Sequence, residues 1–300
     1  MSTAEDTGLA DTVFQHISSA APFPQNRPRG YNAHPDSQNS LVDGGIVFDP
    51  AKHLALEDPS WLKMLIKNQR DDNDDFLQFP VPVNATPGGT AFTTKNTPVA
   101  FNGLAFTSSF RILSDEGVRA LREVIRHNER YAKCNERIPK TLRGLGYRSK
   151  FVRDFTYSKD VLNHLSKMSG VPVIPHSANM NIAQINFGQI GVSKKVDQWH
   201  LDSVPYVMVI LLSDATDMQG GDLQVARLPN AQMALNQIHN DAVDPSSIDV
   251  VNYPGPGHAI FMQGSRIAHG VTPVKHAREP RLTLVNSYQS ANPFAEVKTW

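Results

Sequence analysis

The sequence predicts a mainly β chain, a sandwich or barrel flanked by α-helices. Three observations carry this. After Gly170 the chain breaks into short extended segments parted by glycine and proline turns, among them Gln219-Gly-Gly-Asp222, Pro254-Gly-Pro-Gly257 and Gln263-Gly-Ser265. Ahead of that point two stretches repeat apolar residues at helical spacing. Neither an internal repeat nor a sharp linker divides the 300 residues, so one domain with a sizeable core is expected.

In chain order, residues 1–45 read as an irregular arm, 46–170 as a helical and extended flank, and 171–290 as the β core. Asp58 to Ile66 reads as a short helix: Asp58 caps it, Pro59 suits its first position, and Trp61, Met64 and Leu65 share a face. The acidic run Asp71–Asp75 reads as a solvated loop, since it lacks the glycine and distal glutamate of a calcium-binding loop. The stretch 80–110 is rich in Pro, Thr and Gly, with short β-branched segments. From Ser114 to about Lys133 the signals of a helix converge. Ser114 is the N-cap, Asp115 and Glu116 face the positive end of the dipole, and Val118, Leu121, Val124 and Ile125 form the inner stripe. A second helix runs from Ser158 to about Met168 and stops at Gly170. The β segments follow: Val171–Ile174, Met180–Phe187, Tyr206–Leu212, Asp222–Ala226, Gly257–Met262, Ile267–Val274 and Arg281–Tyr288. Residues 230–249 interrupt them as a helical or irregular insertion.

Charge excludes some functions. Lys+Arg and Asp+Glu both total 29, so the chain has no net positive charge with which to coat nucleic acid or an anionic membrane surface. With one cysteine, Cys134, no intrachain disulfide forms and Cys-rich zinc motifs are excluded; that thiol reads as a bystander. The acidic start lacks the apolar stretch of a secretory signal, and no run of about 18 apolar residues exists. A cytoplasmic protein with a small-molecule partner is expected, binding neither nucleic acid nor membrane; oligomeric state is unreadable.

The chemistry lies in Gln198-Trp199-His200-Leu201-Asp202. In extended backbone, residues i and i+2 share a side, so His200 and Asp202 present an imidazole and a carboxylate to one point. These are two thirds of a two-histidine, one-carboxylate facial triad, which leaves positions open on Fe(II). Ile267-Ala-His269-Gly270-Val271 supplies a third candidate. Twelve residues on, Arg281 and Thr283 share a face, and a guanidinium beside a hydroxyl suits a dicarboxylate. Three His-x-Asp triplets occur, at 34–36, 200–202 and 239–241. Only the middle one precedes a strong β segment, with Gly220-Gly221-Asp222-Leu223, a His-Gly segment and an Arg-x-Thr following in order.

This conjunction, over about residues 180–290, resembles the Fe(II)/2-oxoglutarate-dependent dioxygenases. The resemblance implies a double-stranded β-helix, a cupin-like jelly roll with N-terminal helices. It implies that His200, Asp202 and His269 hold iron, that Arg281 pairs with the distal carboxylate of 2-oxoglutarate, and that Thr283 hydrogen-bonds it. With O2 the cosubstrate is decarboxylated to succinate and a substrate C–H bond is oxidised. Hydroxylation is the default outcome, and desaturation or ring closure use the same oxidant. Asp202 argues against halogenation, because the family's halogenating members lack that carboxylate.

Gln184 and Asn186 share a face of the preceding strand and are candidates to touch 2-oxoglutarate or substrate; the alternative turns them to solvent while Ile185 and Phe187 pack inward. Trp199 and Tyr206 flank the metal residues as packing aromatics, with substrate contact the alternative. Arg143, Arg148, Lys150 and Arg153 read as a solvated face, or as a loop for an anionic substrate. His258 and His276 read as non-ligands. Two rival readings stay open: a cupin-like metal oxygenase or isomerase that does not use 2-oxoglutarate, and a catalytically silent jelly-roll binding module.

Overall fold

The strand Tyr206–Leu211 is buried along its whole length because its sequence is apolar on both sides. Val207 and Val209 pack with Leu223, Val225, Val251, Ile260 and Met262. Met208 and Ile210 point the other way and join Leu121, Ile125, Phe151, Phe155 and Leu165. Alternation thus splits one strand between two cores, one between facing sheets and one between sheet and helices.

The computed structural model describes residues 42–67, 74–76, 104–134, 137–191, 196–228 and 231–291. The larger sheet runs, in spatial order, Asp74–Phe76, Leu62–Lys67, Leu104–Thr107, His258–Met262, Tyr206–Leu211, Arg281–Ser290, Gln184–Gly188 and Thr141–Leu142. The smaller runs Ile248–Val251, Leu223–Ala226, His269–Val271 and Asp197–His200. From Gln184 onward the chain passes back and forth between the sheets, and the pairings among these strands are antiparallel. That winding is a double-stranded β-helix, the jelly roll, and the flank adds strands to the edges of its larger sheet.

The helices cover the outer face of the larger sheet. Asp115–Asn128 begins where the sequence places it, with Ser114 Oγ accepting from Gly117 N at 3.0 Å, and it buries Val118, Leu121, Val124 and Ile125. Lys159–Ser169 ends at Gly170, whose φ of +72° is a left-handed cap. Two short helices, Leu145–Arg148 and Lys150–Thr156, occupy the basic segment that the sequence reads as a solvated face or an anion-binding loop; Phe151, Val152 and Phe155 supply their buried side. The insertion is a helix, Ala231–His239, followed by the strand Ile248–Val251. Ala234 and Leu235 pack on Trp199 and Ala268 behind the smaller sheet.

One element differs in kind. Asp58–Ile66 is not a helix: Leu62–Lys67 is a strand that pairs with Leu104–Thr107. The cap signal is spent elsewhere, since Asp58 pairs with Lys167 at 3.1 Å. Leu62 is buried, Lys63 pairs with Asp249, and Trp61 meets Phe106 edge-on at 5.7 Å. A short apolar run fits either period, and pairing to the sheet decides it. Residues 1–41, 71–73 and 77–103 lie outside the described residues, and with them the arm up to residue 41, most of the acidic run, most of 80–110 and His34-Pro-Asp36. Among the described residues no helix is long and apolar enough to cross a membrane.

A bidentate ion pair fixes the corner that leads into the Arg281 strand. Arg122 donates from Nη1 and Nη2 to Glu279 Oε1 and Oε2 at 2.7 and 2.5 Å, and Asp214 N donates to the same carboxylate at 2.7 Å. Its hydrogen bond with Arg122, above all, holds the Glu279 carboxyl below the usual 4.5. A depressed carboxyl stabilises the fold above its unfolded-state pKa and stops doing so as pH falls through the folded one. Glu279→Gln should therefore cost about 1 kcal/mol at pH 7, after allowance for partial exposure. Thermal melts of both proteins check this: the gap should shrink below pH about 4.5, and a gap independent of pH contradicts the pairing.

Candidate active site

His200 and His269 meet because their strands pair. Asp197–His200 and His269–Val271 are antiparallel neighbours in the smaller sheet, and His200 and His269 are direct partners in register, with ring centroids 4.3 Å apart. Just past the strand, Asp202 N donates to Gly264 O at 2.9 Å, which turns the carboxylate back toward both rings. Asp202 Oδ1 lies 3.2 Å from His200 Nε2, and Oδ2 lies 3.4 Å from His269 Nε2. One ligand atom from each of the three falls within 4.8 Å of the others.

Backbone carbonyls set the tautomers. His200 Nδ1 sits 2.6 Å from Gln198 O and His269 Nδ1 sits 3.0 Å from Ile267 O, so Nδ1 carries the proton in each neutral ring. Each Nε2 then turns its lone pair to the shared centre, the usual outer-shell arrangement for a ligating histidine. Burial would raise the Asp202 pKa, but the two imidazoles, His269 foremost, hold it far below the carboxylate range. Burial likewise works against a charged His269, yet Asp202 outweighs it and the pKa stands above 6.5.

Arg281 forms the deep end of the same cleft. It is 1% exposed, and its Nη1 donates to Thr283 Oγ1 at 3.3 Å. Its Nε and Nη2 are buried with no hydrogen-bond partner. Burial pulls its pKa down, against Tyr253, Asp222 and Asp197, which push it up. Among the described residues no carboxylate pairs with it directly, so the chemistry there suits an anion. The aliphatic stem passes between two glycines. A Cβ on Gly188 would stand 3.0 Å from Arg281 Cβ, and one on Gly221, whose φ is +73°, would stand 2.9 Å from Arg281 Cδ. The Gly-Gly of the sequence motif thus makes room for this side chain. Behind the guanidinium lies Tyr253, with its ring centroid 5.7 Å from Cζ and its hydroxyl pushed up to about 12 by burial.

The remaining candidates divide. Arg281, Thr283, Val285 and Ser287 alternate toward the cleft, and Thr283 and Val285 pair in register with Asn186 and Gln184. Gln184 and Asn186 are therefore buried in the cleft wall, not turned to solvent; Gln184 Nε2 donates to Asn186 Oδ1 at 2.7 Å. Ile185 and Phe187 are buried on the opposite face, with the helices. Tyr206 is a core residue, stacked on Phe261 at 5.5 Å, and Trp199 packs behind the sheet. His258 bonds to Gly255 O, His276 is exposed on a separate ribbon, and His239 at the end of the insertion helix and Asp241 in the turn after it are exposed.

Three residues at or beside the cleft had no signal in the sequence. Arg137 and Asp197 form an ion pair at 2.9 Å on the cleft wall. Gly264 was read only as part of a turn. A Cβ there would lie 2.0 Å from Asp202 Oδ2, so glycine is what lets the carboxylate take its place.

No protein-family profile matches the sequence, and no curated protein matches it. Among solved structures, the chain is similar to the non-heme α-ketoglutarate-dependent carbocyclase SnoK from nogalamycin biosynthesis, at 12% identity and a TM-score of 0.48, covering 63% of this chain and 81% of that one. The epimerase SnoN, of the same cofactor dependence and biosynthesis, matches at 12% identity and 0.45, covering 65% and 88%. EctD from S. alaskensis with bound Fe matches at 14% and 0.45, covering 62% and 72%. Likenesses this slight carry no inference about activity, which rests on the cleft itself.

Gly264→Ala isolates the placement of Asp202. A methyl group pushes the carboxylate off the two rings, so His269 loses its counter-ion and its pKa falls. An NMR titration of the histidine ring protons reads this without any metal; an unchanged His269 pKa would show that the glycine does not set the carboxylate.

Proposed function

We propose that this chain is a non-haem Fe(II)/2-oxoglutarate-dependent oxygenase that oxidises a C–H bond of a small molecule, by default hydroxylating it. One observation carries the reading: a two-histidine, one-carboxylate cluster and a buried guanidinium with unpaired N–H groups line the same cleft. The donor set fits ferrous iron, since two imidazoles and one carboxylate on one side leave the other side open. The unpaired Arg281 fits a dicarboxylate, because a carboxylate there would satisfy N–H groups that the protein leaves bare.

In this reading His200, Asp202 and His269 hold the iron through Nε2, a carboxylate oxygen and Nε2. The Gln198 and Ile267 carbonyls keep both rings in the ligating tautomer. Arg281 receives the distal carboxylate of 2-oxoglutarate, and Thr283 adds its hydroxyl. Gln184 and Asn186 offer amides to the cosubstrate from the neighbouring strand. Val207, Val209, Leu223 and Met262 line the cleft with apolar surface and limit water there. When bound, iron and 2-oxoglutarate supply with O2 the oxidant for the C–H bond, and the keto acid leaves as succinate and carbon dioxide.

Desaturation and ring closure draw on the same oxidant and remain outcomes of the same site. A metal enzyme that does not use 2-oxoglutarate would have no use for the bare guanidinium, and a silent module no use for the three ligands. A single cysteine, Cys134, suits the reducing cytoplasm in which ferrous iron persists.

The protein with Fe(II), air and a panel of small metabolites should release succinate from 2-oxoglutarate, and His269→Ala should abolish release. Arg281→Ala should weaken 2-oxoglutarate binding by about 100-fold while Mn(II) still binds, both read by calorimetry. A protein that neither binds 2-oxoglutarate nor releases succinate contradicts the proposal; metal-dependent activity that Arg281→Ala leaves intact favours the cupin-like rival.

A further inference from the structure

The mouth of the cleft carries charge that the reading above does not use. Arg137, Arg143 and Asp197 all line it. Arg137 is engaged, with its Nε 2.9 Å from Asp197 Oδ1. Arg143 stands at the solvent-exposed end, next to Gly144 with its left-handed φ of +68°. Among the described residues it has no hydrogen-bond or ion-pair partner. The rest of the basic segment does not line the cleft. Arg148 stacks on Tyr131 with Cζ 3.9 Å from the ring centroid, Lys150 pairs with Asp154, and Arg153 Nη1 donates to Gly146 O at 3.0 Å.

Arg143 is also held against its electrostatic interest. Partial burial, and then repulsion from Arg137, pull its pKa down, and the nearby Asp197 and Asp202 only partly compensate. The three guanidiniums that line the cleft differ in what they face. Arg137 has Asp197, and Arg281, with Asp222 near it, has the cosubstrate in the reading above, so of the three Arg143 is the one left to meet a group from solvent.

We propose that Arg143 receives an anionic group of the substrate, so that the enzyme acts on small acids, carboxylates or phosphate esters, in preference to neutral molecules. This rests on the oxygenase reading and narrows it. The two cation seats divide the work: the buried one, Arg281, takes the cosubstrate's distal carboxylate, and the exposed one takes the substrate from solvent. Seated there, the acid spans the distance from the rim toward the metal cluster, with Asn181 and Gln184 lining its way.

The test uses matched pairs: amino acids and hydroxy acids against their amides, and sugar phosphates against the free sugars. Substrate-stimulated succinate release is measured with wild type, Arg143→Gln and Arg143→Lys, and 2-oxoglutarate affinity by anaerobic calorimetry on each. Acids should stimulate release at least about tenfold more strongly than their neutral partners, and whether carboxylates or phosphates do so identifies the group. Arg143→Gln should raise KM for the acid at least about tenfold with a smaller change in kcat, Arg143→Lys should restore part of it, and the neutral partner's KM should not move. Neutral compounds stimulating as well as acids, no acid stimulating at all, or an unmoved KM in Arg143→Gln each overturn the proposal, even where 2-oxoglutarate binds and turns over. Loss of 2-oxoglutarate binding in the wild type is a different failure, that of the oxygenase reading itself. Should Arg143→Gln not fold, the wild-type comparison of acids with neutral partners still decides.

Discussion

The register between Asp197–His200 and His269–Val271 is the constraint on which the site depends. His200 and His269 are direct cross-strand partners, which brings two imidazoles within 4.3 Å although 69 positions separate them in number. A slip of one residue would send one of them to the opposite face of the sheet. The hydrophobic pattern prevents that slip. Trp199, Leu201 and Ala268 alternate with the histidines and are packed beneath the helix Ala231–His239. The insertion, which looks like an interruption in the sequence, therefore covers the back of the strands that carry the site. Packing on one face sets the chemistry on the other.

The second constraint is the burial of Arg281. The fold accepts a guanidinium that is 1% exposed with two nitrogens unpaired, and it arranges two glycines around the stem to do so. Such a group lowers the stability of the empty protein, and in the proposed reading an arriving anion returns that cost as binding free energy. Arg122 and Glu279 brace the corner just before it. The cleft is thus polarised along its length: a dry cation at the bottom, an anionic carboxylate between two rings in the middle, and a wet cation at the mouth.

The sequence made some of this legible and hid the rest for physical reasons. His200 with Asp202, and Arg281 with Thr283, could be paired because strand alternation turns a spacing of two into a shared direction, a local property; His269 stood out only by the order of the motifs around it. The helix Asp115–Asn128 was equally open, since cap, first-turn acids and apolar stripe all lie within its own residues. Leu62–Lys67 was misread because a short apolar run takes its form from the strand it pairs with. Gly264 was invisible as a site residue because what it provides is empty space beside Asp202, and space leaves no trace in one chain's letters. Arg143 and Arg148 looked alike in sequence; only the fold sends one to the cleft and the other onto Tyr131.

An anaerobic crystal structure with Fe(II) and 2-oxoglutarate tests the central claim most directly. The account predicts one iron bound by His200, Asp202 and His269 together, with the distal carboxylate of the keto acid on the Arg281 guanidinium. Iron held by any other group of residues, or a keto acid seated away from Arg281, would contradict it.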